Sequence, residues 1–184
     1  MKIRVGSSNL LCMAALFGLA ALTSQLTGCA TAAKSDAMVA QPATLVHKSS
    51  TVSSVAVVGG LETWRMGASQ ISNANFAQAL AESISQSGLF AKVADSNGHY
   101  KLTAFIGKVD QPLMGFSMTV KMEVNYTLVD TTSGKTVWTK NVASTYTASA
   151  GAAFAGTTRL RLANEGAAKD NIQQVITDIS TLNL

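Results

Sequence analysis

The chain has 184 residues, of which 47% are hydrophobic and 13% charged, and its formal net charge is +4. The length suits a single domain, and the clear apolar periods argue against a disordered chain. No stripe of basic residues with interleaved aromatics occurs, which argues against nucleic-acid binding.

Residues 1–28 have the features of a secretory signal. Two basic residues precede an apolar run over 10–22, which is shorter than the roughly 20 residues that span a bilayer as a helix. The run is followed by Leu26-Thr27-Gly28-Cys29, which resembles the lipobox of bacterial lipoprotein precursors. That resemblance implies cleavage after Gly28, a diacylglycerol thioether on Cys29 and a further acyl chain, such as palmitate, on the new amine.

The implied lipid anchor places the protein in the bacterial envelope. Ala30 rather than aspartate follows the cysteine, which implies the outer membrane, with the domain facing the periplasm. Cys12 belongs to the leader and Cys29 is consumed by the lipid, so no thiol is left for a disulfide, a metal or a nucleophile. Two or more acyl chains give stable anchoring, so we expect the membrane itself to be one partner.

The predicted organisation has three parts. Residues 1–28 are the signal peptide, and residues 29–51 are the lipidated cysteine and a flexible tether, because they are small and polar without an amphipathic period. Residues 52–184 are the periplasmic domain.

Strands and helices alternate through this domain. Period and turn signals predict strands near 51–58, 89–93, 100–106, 116–128 and 136–148, and helices near 72–87 and 157–182. Ser72, Asn73 or Asn75 is the candidate cap of the first helix, and Thr157 or Thr158 that of the second. Because one sheet face and one stripe of each helix are apolar, the order β-α-β-β-β-β-α predicts an α+β two-layer sandwich, with a mostly antiparallel sheet and two helices on one face.

This order resembles that of small outer-membrane lipoproteins of the LptE and YajG types, over roughly residues 52–182. The runs Gly115–Val120 and Arg159–Gly166 are similar to runs in uncharacterised proteobacterial lipoproteins. The LptE resemblance is at the level of the fold and transfers no function.

No catalytic, cofactor or metal motif is found in the sequence. His47 and His99 have no neighbouring ligand at metal-binding spacing, and neither a Gly-x-Ser-x-Gly elbow nor a His-x-x-x-x-Asp acyltransferase pair occurs. We therefore expect no cofactor, no metal and no enzyme. Two alternatives stay open: a periplasmic enzyme acting on envelope lipids or glycans, such as an acyltransferase, and a small-ligand binding module.

The candidate partner-binding residues follow from chain direction. If 89–93 is a strand, the turn at 110–115, the loop at 149–156 and the tether share one end of the domain. Candidate residues at that end are Leu113, Met114, Phe154, Arg159 and Arg161, and a second set, Trp64 and Arg65, is expected at the opposite end. The alternative for each is a structural role, covering the core or forming a solvated helix face. The leading hypothesis is a non-catalytic lipoprotein that binds a protein or lipopolysaccharide partner in envelope assembly or maintenance.

Overall fold

The computed structural model describes residues 29–41 and 49–184. The predicted signal peptide, its cleavage position Gly28 and the linker histidine His47 lie outside these residues. Among the described residues, no helix combines the length and hydropathy needed to cross a bilayer.

The described chain forms five strands and three helices, in the predicted order with one short helix added in front. The elements are α1 (Ser35–Met38), β1 (Ser49–Val58), α2 (Asn73–Ser87), β2 (Phe90–Ala94), β3 (Tyr100–Asp110), β4 (Met118–Asp130), β5 (Thr136–Ala148) and α3 (Gly156–Ser180).

One mixed sheet has the strand order β2-β1-β3-β4-β5. The long strands β3, β4 and β5 pair antiparallel, whereas β1 is parallel to both of its neighbours. Helix α2 packs on β1 and β2, helix α3 packs on β4 and β5, and the two helices contact each other. The predicted α+β two-layer sandwich is thereby confirmed.

The direction of β3 differs from the prediction. In a mostly antiparallel sheet the turn at Asp95–Gly98 would reverse the chain, but this segment crosses β1 and keeps the chain direction, so that Tyr100 pairs with Ser53 in a parallel ladder. Gly98 makes this crossing possible, because a Cβ there would overlap the backbone of Ser53 and Ser54. The expected alternation of strand directions therefore fails at this connection.

Side-chain capping explains where α2 begins, but not where α3 begins. Ser72 caps α2 by accepting a hydrogen bond from the Asn75 amide at 3.2 Å, as predicted, and Gly88 ends it in the left-handed region at φ 65°. Helix α3 begins at Gly156 with Ala155 as its cap and without a side-chain cap bond, so the expectation for Thr157 or Thr158 is wrong.

The core lies between the sheet and the two long helices. The predicted period of two in β4 is confirmed, because every second side chain from Met118 to Leu128 is buried. The Tyr126 hydroxyl donates to Asn171 Oδ1 at 2.8 Å, and Asn171 Nδ2 donates to the Val142 carbonyl at 2.9 Å. Burial raises the pKa of the Tyr126 phenol well above its usual value. Side chains thus fill the interior, where the ligand-module alternative requires an enclosed apolar pocket.

The segment before β1 is packed rather than free, which corrects the predicted flexible tether for residues 30–41. Ala33, Met38 and Ala40 are completely buried in the core cluster, and α1 contacts both α2 and α3. The Ala40 amide donates to Ser83 Oγ at 2.9 Å, and the Lys34 amide donates to Glu165 Oε1 at 3.0 Å. A segment without an amphipathic period is therefore held by a groove between the helices.

Candidate interaction surface

Three loops meet at the end of the sheet where β1, β3 and β5 finish, which we call the loop end. The loops cover residues 59–72, 111–117 and 149–155. Gln111 Nε2 links the first two, because it donates to the Ser69 carbonyl at 3.0 Å and to Asn164 Oδ1 at 2.8 Å.

Arg159 links the other two loops. Its Nη1 donates to the carbonyls of Ala153 at 2.7 Å and Phe154 at 2.8 Å, and its Nη2 donates to the Gly115 carbonyl at 3.4 Å. Because the guanidinium donates hydrogen bonds to three backbone carbonyls, the predicted binding residue Arg159 connects two loops of the loop end.

Arg161 is engaged in an ion pair. Its Nη1 lies 2.9 Å from Glu165 Oε1, and the Glu165 carboxylate is buried and also accepts the Lys34 amide. Glu165 thus connects the N-terminal segment to α3, and Arg161, a predicted binding residue, stabilises this connection.

The exposed Cys29 lies at the loop end. The amide of the next residue, Ala30, donates to the Arg65 carbonyl at 3.2 Å, and Ala30 is buried. Trp64 and Arg65 were expected at the opposite end from the anchor, and that expectation is wrong. There are two causes. Strand β3 is parallel to β1, so that the loop at 111–117 lies at the end where β1 finishes, and the N-terminal segment begins at that same end instead of near the start of β1.

Large apolar side chains are also exposed at this end of the domain. Seven of them have exposed fractions between 63% and 98%, and we call them the apolar rim: Leu61, Trp64, Met66, Leu113, Met114, Phe116 and Phe154. Single exposed apolar residues are ordinary, but a group on one face of a domain marks an interaction site. The structure brings the predicted residues Leu113, Met114, Phe154 and Trp64 to one end.

Sequence reasoning missed Leu61, Met66 and Phe116. The alternation that begins at Phe116 predicts a buried strand residue, but β4 starts at Met118, which leaves Phe116 in the loop with an exposed side chain. Leu61 and Met66 lie in a loop without a period, where the sequence alone carries no signal for exposure.

An open groove of about 870 Å³ runs between these loops and the start of α3. Apolar and polar side chains both line it: Ala68, Val109, Pro112, Leu113, Met114, Met118, Ala155 and Leu160 are apolar, and Gln70, Asp110, Gln111 and Thr157 are polar. Most of these side chains are apolar, so the groove suits an apolar segment of a partner more than a charged small molecule.

The far end of the domain contains the only described histidine. His99 Nδ1 lies 3.2 Å from Thr132 Oγ1, and His99 Nε2 lies 3.9 Å from Asp130 Oδ1. The Ser133 hydroxyl donates to Asp130 Oδ2 at 2.9 Å, so the serine bonds the acid and not the histidine. A Ser–His–acid site needs the histidine between the other two. This exposed turn therefore gives the enzyme alternative no support, and the described residues hold no group of three ligands suited to a metal.

No protein-family model and no curated protein sequence matches the chain, whereas its fold is similar to that of solved structures. Protein XCC0632 of Xanthomonas campestris (family DUF330) has 13% identity and a TM-score of 0.57, covering 75% of this chain and 87% of that chain.

Hypothetical protein CT253 of Chlamydia trachomatis has 8% identity and a TM-score of 0.50, with 73% and 94% covered. A minor lipoprotein of Acinetobacter baumannii has 14% identity and a TM-score of 0.46, with 74% and 92% covered. At these identities the likeness concerns the fold alone. The resemblance to LptE and YajG types stays a prediction.

Proposed function

We propose that this chain is a non-catalytic lipoprotein of the outer membrane, acylated at Cys29, that faces the periplasm. It binds a protein or lipopolysaccharide partner through its loop end, in the assembly or maintenance of the envelope. The observation that carries this proposal is the meeting of Cys29 and the apolar rim at one end of the domain.

Acylation supplies the attachment. Each buried CH₂ of an acyl chain contributes about 0.8 kcal/mol, so two or three chains hold a protein at a bilayer for long times. The exposed position of Cys29 suits this role, because a thiol buried in the core has no room for a diacylglycerol.

Binding at the loop end is supported by its surface chemistry. The rim leaves seven large apolar side chains in solvent, and the groove beside it is apolar and open. Arg65 is exposed and has no salt bridge within the described part of the chain, so its guanidinium is free to meet a phosphate or carboxylate of a partner.

Two experiments test the proposal. Metabolic labelling with palmitate and intact-mass measurement test acylation: wild type carries the label, and Cys29→Ser carries none. Crosslinking in cells from a photoreactive residue at position 113 or 64 tests binding, with position 133 at the far end as the matched control. We expect a defined adduct, identified by mass spectrometry, from the first two positions only. An unlabelled wild type, or equal adducts from all three positions, would contradict the proposal.

A further inference from the structure

The anchor leaves almost no length between lipid and domain. Cys29 is the residue that would carry the acyl chains, and Ala30 is already buried, with its amide bonded to the Arg65 carbonyl at 3.2 Å. A flexible tether of about 20 residues allows a domain to move some 25 Å from the bilayer. Here Ala33, Met38 and Ala40 are buried in the core, so that freedom does not exist.

The two chain neighbours of Arg65, to which Ala30 is bonded, are apolar and exposed. Trp64 and Met66 belong to the same loop as Arg65, and Trp is the side chain that best suits the boundary between headgroups and acyl chains. Leu113, Phe116 and Phe154 extend from the two other loops of the same end. A bilayer held at Cys29 by its acyl chains therefore meets the rim directly.

Charge at this end is nearly balanced. Arg65 and Arg159 lie in or beside the loops of the rim, and Glu62 belongs to the same loop as Arg65. Lys108 lies 4.0 Å from Asp110, and Glu123 and Lys121 stand opposite these two residues in the ladder of β3 and β4. Electrostatic attraction to anionic lipid is consequently small. Contact of this end with a bilayer must depend on apolar burial, and it should be insensitive to salt.

We infer that the apolar rim inserts into the bilayer surface next to the lipidated Cys29 and holds the domain end-on to the membrane. The occupant of the rim is thus the lipid itself, and β3, β4 and β5 stand roughly along the membrane normal. The inference rests on the proposed function because it requires acylation at Cys29. It goes beyond that function by assigning the rim to the lipid surface, so that the partner of the proposed function meets the groove between the loops.

The two tryptophans of the chain provide the test. Trp64 belongs to the rim, whereas Trp138 lies near the start of β5, about 30 Å away along the strand. The full-length protein is expressed so that it is lipidated, purified in detergent and reconstituted into phosphatidylethanolamine/phosphatidylglycerol vesicles with brominated acyl chains. Trp138→Phe leaves Trp64 as the reporter, and Trp64→Phe leaves Trp138 as its matched control.

We expect the emission of Trp64 to be blue-shifted and quenched at least about twofold by the brominated lipid, equally in low and high salt. The emission of Trp138 should be the same in brominated and ordinary vesicles. In the Trp138→Phe background, Leu113→Gln and Phe154→Gln, each added singly, should reduce the equilibrium constant for insertion about tenfold, since each removes a large apolar side chain from the lipid. Circular dichroism checks that each variant is folded.

The intact mass of the same sample separates the two ways of failing. Without acyl mass, both the proposed function and this inference are overturned. With acyl mass but with Trp64 emission as in water and without quenching, the inference alone is overturned, and the rim is left to a soluble protein partner. Equal quenching of both tryptophans overturns the end-on orientation.

Discussion

Replacing Met38 by alanine tests whether the N-terminal segment is docked or free. The Met38 side chain is completely buried between the helices and belongs to the largest fully buried side chains of the domain. Met→Ala substitutions at such positions cost about 2–5 kcal/mol, because transfer free energy is lost and a cavity is left. A residue in a flexible tether would cost nothing.

The expected loss has an upper limit set by the segment itself. Once Met38→Ala weakens docking, residues 30–41 can leave the domain while the sheet stays folded, and the loss cannot exceed the free energy of docking. Hydrogen bonds from the amides of Ala33, Lys34 and Ala40 also hold the segment. We therefore expect a loss of about 3 kcal/mol, which accelerates hydrogen exchange at these amides about 100-fold.

Met66→Ala is the matched control, since it makes the same chemical change at an exposed position of the rim. It should alter the free energy of unfolding by less than about 0.5 kcal/mol. The assays are native-state hydrogen exchange and urea unfolding of the mature chain, where a 3 kcal/mol loss lowers the midpoint by about 1.5 M. If both variants behave like wild type, the reasoning about a docked segment is refuted.

Four further predictions concern the sheet and its turns. Tyr126→Phe removes the bond to Asn171 and should cost about 1–2 kcal/mol in urea unfolding, and a loss below 0.3 kcal/mol would contradict the buried bond. Because burial raises the pKa of Tyr126 in the folded protein, the stability that this residue contributes is fully present below the usual tyrosine pKa and falls as pH rises above about 10. Spectrophotometric titration, compared with that of Tyr126→Phe, should show that Tyr126 ionises only together with unfolding. Gly98→Ala should destabilise by about 3 kcal/mol, because the backbone of β1 cannot move away, whereas Gly151→Ala, with open space around it, should cost much less in urea unfolding. Hydrogen bonds from the Ser133 hydroxyl and the Thr132 amide hold the pKa of Asp130 below its usual value. The turn is therefore stabilised above about pH 4 and loosens as pH falls further. Amide hydrogen exchange at Thr132 should accelerate in that range, and Asp130→Asn should remove this pH dependence.

The parts of the fold that depend on local periodicity could be predicted from the sequence. The sequence predicts that alternate residues of β4 are buried, and the structure confirms it. This prediction is possible because side chains alternate between the two faces of a strand, independently of which strand pairs with it. Ser72 was one of three candidate caps of the first helix, and the predicted end near residue 87 agrees with the observed end, since capping involves only the first and last turns.

Long-range features could not be predicted in the same way. The turn residues 95–98 indicate a change of course but not whether the chain reverses or crosses a strand, which depends on the backbone of β1. Ala33, Met38 and Ala40 have no recognisable period, and they are buried only because α2 and α3 together form a groove for them. The end of the domain that carries Trp64 was therefore assigned wrongly, although the grouping of Leu113, Met114 and Phe154 was correct.

The place of β1 between two parallel partners affects how the chain reaches its native state. Both partners follow β1 by roughly 40–50 residues, so neither ladder can close until a long loop has closed. The meander of β3, β4 and β5 needs only short connections, and we expect it to form first. Until β1 pairs with β3, one edge of β3 is unpaired. The chain is therefore most exposed to wrong strand pairing during the slow step of folding.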